Sequence, residues 1–90
     1  MSEIKTLTLC DVLRELRLER ALSKRALSQR AGLSASYVGK LERGEIEPSV
    51  RAFAVIALAL ELTPHEVLFC VKCALAECRP QLDVEESFAG

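Results

Sequence analysis

The sequence predicts an all-α fold, one domain of five short helices, on three observations. Cap-forming residues recur at Thr8, Ser23, Ser34, Ser49 and Thr63, each ahead of a stretch with helical spacing. Gly32, Gly44 and Pro48 stand where a helix cannot run on. No convincing two-residue alternation marks a strand before the tail. The composition suits close-packed helices: 50% of the 90 residues are apolar and there is no Trp.

Taken in order, Thr8 caps a first helix over residues 10–21, with Val12, Leu13, Leu16 and Arg20 marking its faces. Ser23 caps a second that ends at Ala31, and Gly32 supplies the left-handed residue after it. A third begins at Ser34, runs through Ala35–Arg43 and stops at Gly44. The loop EIEPS follows. Ser49 then caps a fourth helix, Val50 to about Leu60, whose run FAVIALAL is apolar nearly all round and so is expected to be central. Thr63, Pro64 and Glu66 make a strong start for a fifth: cap, Pro at the first position, and the acid of a capping box. That helix extends to about Cys78, before Pro80. The chain thus divides into an N-terminal arm (1–9), a helical domain (10–79) and an acidic tail (80–90).

Net charge is −1, which argues at first against a polyanionic partner, but the charges are segregated. From Arg20 to Arg43 there are six basic residues (Arg20, Lys24, Arg25, Arg30, Lys40, Arg43) against Glu42; from Glu61 onward six acids face Lys72 and Arg79. Such a polarised chain can present a phosphate-facing surface from its middle. No apolar run reaches the ~18 residues that cross a membrane. The start carries mixed charges and lacks the apolar stretch of a secretory signal, so a cytoplasmic protein is expected.

The pair of short helices joined at Gly32 makes strict demands. A steep crossing over a tight turn needs a residue tolerant of positive φ, small residues at Ser28 and Ala31, and apolar ones at Leu27, Leu33, Val38 and Leu41. All are present. On a wheel of the third helix, Ser34, Tyr37, Val38 and Leu41 face inward. Ala35, Ser36, Gly39, Lys40 and Arg43 face outward, a surface without a large apolar group that suits the major groove of DNA.

These pieces, LRELRLERALSKRALSQRAGLS, SYVGKLERGEIEPS and LALELTPHEVL, resemble the lambdoid phage repressor and Cro type (XRE type) of helix-turn-helix domain over roughly Val12 to Phe69. The resemblance implies a five-helix lambda-repressor-like fold whose second and third helices bind double-stranded DNA and whose extended fifth helix dimerises. It implies base reading by Ala35, Ser36 and Lys40, with phosphate as the other reading for Lys40. Lys24, Arg43 and the Gly44 loop match positions that hold the DNA backbone. Tyr37 is expected to pack at the motif's edge with its hydroxyl near a phosphate. Arg17 and Glu42 match a buried structural ion pair. Gly39 departs from the family, which more often has a larger polar residue there. Glycine weakens a helix by ~1 kcal/mol relative to Ala and puts direct readout at that position in doubt.

Cys70, Cys73 and Cys78 raise a metal or redox reading. At ~100° per residue one helix cannot gather all three around an ion, and a redox pair belongs at a helix start. Buried Cys acts as a small hydrophobe, so neither metal nor cofactor is expected. The fifth helix also carries more apolar surface than a small monomer can hide. Val67, Val71 and Leu75 are therefore expected in a homodimer interface.

The expected function is a dimeric repressor of phage, plasmid or other bacterial genes that binds a palindromic operator. Alternatives of the same fold are an antitoxin or a restriction-modification controller, with a toxin or co-regulator as a possible protein partner. An adaptor that has lost DNA binding is the alternative of another class. An enzyme is disfavoured, because the one histidine sits at a helix start and no nucleophile–base pair has a setting.

Overall fold

The computed structural model describes residues 7–78. Most of the N-terminal arm and the acidic tail lie outside the described residues. Five helices follow one another: α1 (Leu9–Glu19), α2 (Lys24–Arg30), α3 (Tyr37–Glu42), α4 (Val50–Leu60) and α5 (Pro64–Glu77). The described residues contain no strand.

The starts follow from the capping residues. Thr8, Ser23, Ser49 and Thr63 each accept, through the side-chain hydroxyl, the backbone N–H three residues on. Thr8 with Asp11 and Thr63 with Glu66 close reciprocal capping boxes, satisfying donors the helix leaves orphaned.

The ends share one device. After α1, α2, α3 and α4 a residue with positive φ reverses the chain: Ala21, Gly32, Gly44 and Glu61. The next N–H returns to a carbonyl in the last turn, as in Leu22 to Arg17, Leu33 to Ser28, Glu45 to Lys40 and Leu62 to Ala57. This is the Schellman ending, usually completed by an apolar side chain that folds back. Leu22, Leu33 and Leu62 do so, packing against the core; Glu45 does not. At Ala21 and Glu61 the left-handed backbone is held without glycine, against the steric preference of L-residues.

The core is built from Val12, Leu13 and Leu16 of α1, Leu27 of α2, Val38 and Leu41 of α3, Ile56 and Leu60 of α4, and Cys70 and Cys73 of α5. α1 packs on α3 and α5, and α2 on α3 and α4. Removing a side chain such as Leu41 from this centre would cost ~2–5 kcal/mol, a large part of a small domain's stability.

Three expectations need correction. α1 begins at Leu9 and ends at Glu19, because Ala21 turns left-handed before the helix can continue. α3 begins at Tyr37, so Ala35 and Ser36 lie in a turn ahead of it and Ser34 is not its cap. The N–H that Ser34 would take in a longer helix, that of Val38, is instead bonded to Ser28 Oγ at 3.1 Å. The Ser34 carbonyl accepts the Tyr37 N–H in a tighter turn. Finally, α4 is not buried all round: Ala52, Ile56 and Leu60 face inward, while Val50 and Leu58 stand 87% and 75% exposed. Among the described residues nothing covers the face of α4 that carries Val50 and Leu58.

Candidate nucleic-acid interface

The geometry of the α2–α3 pair is set from below. Ser28 is fully buried, and its small side chain lets α3 approach. Its Oγ accepts the N–H of Val38, the second residue of α3, so the helix start is tied to α2 by a bond no solvent group replaces. Gly32, with φ of +75°, makes the turn. At the other end Glu42 is bound to α1: Arg17 donates Nε to Oε2 at 2.6 Å and Nη2 to Oε1 at 2.9 Å. The same guanidinium donates Nη1 to the Leu22 carbonyl at 2.8 Å. Both side chains are almost fully buried, 7% and 5% exposed, and Glu42 raises the Arg17 pKa still further, holding it charged. α3, only six residues long, is therefore clamped at both ends.

On the outside of this unit Lys24, Ala35, Ser36, Lys40, Arg43 and Gly44 are all exposed. Tyr37 is half-buried and packs against the core. Ala35 and Ser36 are presented by the turn preceding α3, and Lys40 by α3 itself. Gly39 corrects the wheel: it is buried, covered by long side chains rather than turned to solvent. A Cβ placed on it would lie 3.3 Å from Arg43 Nη1 and 3.8 Å from Lys24 Cδ. The Arg43 guanidinium and the aliphatic stem of Lys24 thus lie over a position without a side chain.

Two charged side chains behave otherwise than expected. Arg20, counted with the basic segment, is structural. Its Nε donates to the Leu60 carbonyl at 2.7 Å and its Nη2 to Glu66 Oε1 at 2.8 Å, joining α1 to the end of α4 and the start of α5. Glu45, which sequence reasoning passed over, accepts from Arg43 Nε at 2.6 Å. The bond holds the Glu45 carboxyl below its usual range and raises the Arg43 pKa. The available signal was the place of Glu45 just after Gly44, where the other helix endings carry leucine.

Away from this face, Val67 is half-buried on α5, and Val71 and Leu75 are 41% and 63% exposed. Val71 and Leu75 line an apolar groove of about 330 Å³ together with Leu9, Pro48, Val50 and Phe53. Cys70 and Cys73 are core residues, Cys10 is half-buried and Cys78 exposed. Among the described residues no three His, Cys, Asp or Glu side chains are grouped to hold a metal ion, and no helix is long and apolar enough to cross a membrane.

Residues 9–68 match a family described as a helix-turn-helix domain. The HTH-type transcriptional regulator DdrOP3 of Deinococcus deserti is 38% identical over 60 residues, 67% of this chain and 46% of that protein. An HTH-type transcriptional regulator of Sinorhizobium fredii, y4dL, is 34% identical over 79 residues, 88% of this chain and 39% of that one. The chain thus spans less than half the length of these relatives. Among solved structures, the restriction-modification controller protein C.AhdI from Aeromonas hydrophila superposes with a TM-score of 0.60 at 40% identity, over 64% of this chain and 88% of the controller. The controller C.Esp1396I, at 20% identity, superposes with a TM-score of 0.65 over 76% and 90% of the two chains and shares the fold.

Proposed function

Because the chain belongs to the helix-turn-helix family, the XRE-type domain of transcriptional regulators, we propose that it is a sequence-specific DNA-binding regulator. It would act in the cytoplasm as a homodimer that represses genes by occupying a palindromic operator. The observation that carries this reading is the clamped α2–α3 unit, with Lys24, Lys40 and Arg43 exposed on one outer face. A short helix held at both ends can enter a major groove without losing its orientation. Ala35, Ser36 and Lys40 would meet base edges, while Lys24, Tyr37, Arg43 and the Gly44 loop would hold phosphates and fix the register.

The dimer rests on α5. Val71 and Leu75, one turn apart in the lining of the apolar groove, offer a self-complementary patch to a second copy, with Val67 at its edge. Two-fold symmetry would set the recognition helices roughly 34 Å apart, one DNA turn. Likeness to C.AhdI supports a second reading within the same class, that of a restriction-modification controller.

Selection from a random duplex pool should enrich an inverted repeat with half-sites about 10 base pairs apart. No enrichment would remove the DNA reading. The double variant Val71→Glu/Leu75→Glu should sediment as a folded monomer and lose operator affinity by orders of magnitude, since the half-sites are no longer linked. A variant that stays dimeric places the interface elsewhere.

A further inference from the structure

We infer that Glu45 is an intramolecular stand-in for a DNA phosphate: it occupies Arg43 in the free protein and holds down the chain's affinity for DNA. The inference rests on the DNA-binding reading above and adds a residue to it.

The placement of Glu45 is not incidental. Gly44, with φ of +77°, and the bond from the Glu45 N–H to the Lys40 carbonyl at 3.0 Å fix its backbone against the end of α3. At the three other such endings this position is a leucine folded into the core, Leu22, Leu33 or Leu62. In α3 the apolar role passes to the next residue, Ile46, which packs on the core. Glu45 is left on the outer surface, where it chelates Arg43 through Nε at 2.6 Å and Nη2 at 3.5 Å.

Arg43 in turn lies back over Gly39, where the stem of Lys24 also arrives. In the free protein the anion bonded to Arg43 is a carboxylate of the same chain. Both partners are about half exposed, 55% and 51%, so the pair is weak enough for a phosphate to displace. While it persists, Arg43 neutralises no phosphate.

The full-length chain, its Glu45→Gln and Arg43→Ala variants and the double variant would be titrated with a labelled mixed-sequence duplex of roughly 20 base pairs, from ~50 to ~200 mM salt. Glu45→Gln should bind more tightly than the parent throughout that range, because no internal carboxylate has first to be displaced from Arg43. In the Arg43→Ala background, Glu45→Gln should have little effect, because Glu45 acts through Arg43. Unchanged or weaker binding by Glu45→Gln overturns the inference, and so does a gain that persists in full without Arg43. If the parent chain binds no duplex even at the lowest salt, the DNA-binding reading itself falls. A parent that binds like Glu45→Gln removes this inference alone.

Discussion

The Arg17 guanidinium and the Glu42 carboxylate meet in parallel, at 2.6 and 2.9 Å, under the start of the chain's turn at Leu22. Arg17 comes from α1 and Glu42 from the last position of α3, so this contact ties the end of α3 to α1.

Glu42→Ala should destabilise the domain by about 3 kcal/mol, because it leaves a buried guanidinium without its counter-charge. Replacing both partners, as Arg17→Met/Glu42→Leu, should recover most of that loss, since no uncompensated charge remains. Urea unfolding of the three proteins measures both effects. A single variant within ~0.5 kcal/mol of the parent, the range of an ordinary surface substitution, would show that the pair does not support α3.

Lys40 and Lys24 should separate by the kind of loss they produce. Lys40→Ala should weaken operator binding by ~1–3 kcal/mol and relax preference at one base position. Lys24→Ala should weaken all duplexes alike and make the salt slope shallower by ~0.9. Binding profiles over operator variants at several salt concentrations test both. A uniform loss from Lys40→Ala would reassign that residue to phosphate.

Cys70 has no solvent exposure, and burial, with Cys73 and Glu66 nearby, pushes its thiol pKa from 9.0 up to about 11. An unfolded chain ionises this thiol at lower pH than the folded one, so its linkage to stability is unfavourable in alkali. Stability should be unaffected by Cys70 below pH 9 and should fall as pH rises from about 9 to about 11. Cys70→Ala should flatten that decline. With a disulfide reagent at neutral pH, Cys78 should react at once and Cys70 only as the protein unfolds. Fast labelling of Cys70 in the folded state would contradict its burial.

Much of this protein is local, and local features are legible in a sequence. Thr63, Pro64 and Glu66 specify the start of α5 within four residues, and Ser23 and Ser49 do the same for α2 and α4. Gly32 marks the turn between α2 and α3 because few other residues adopt its backbone angle. The apolar spacing also located the core positions Leu27, Val38 and Leu41. What only the tertiary structure decided depends on atoms brought together from distant positions. The first turn of α3 is lost because the Val38 N–H goes to Ser28, ten residues back, and helical spacing carries no trace of that competition. Arg20 leaves the basic surface because the Leu60 carbonyl and Glu66 arrive beside it from α4 and α5. Gly39 is buried although its wheel position faces outward, since Lys24 and Arg43 lie across it. A sequence sets the charge and reach of such long side chains; which group they settle on follows from the fold that surrounds them.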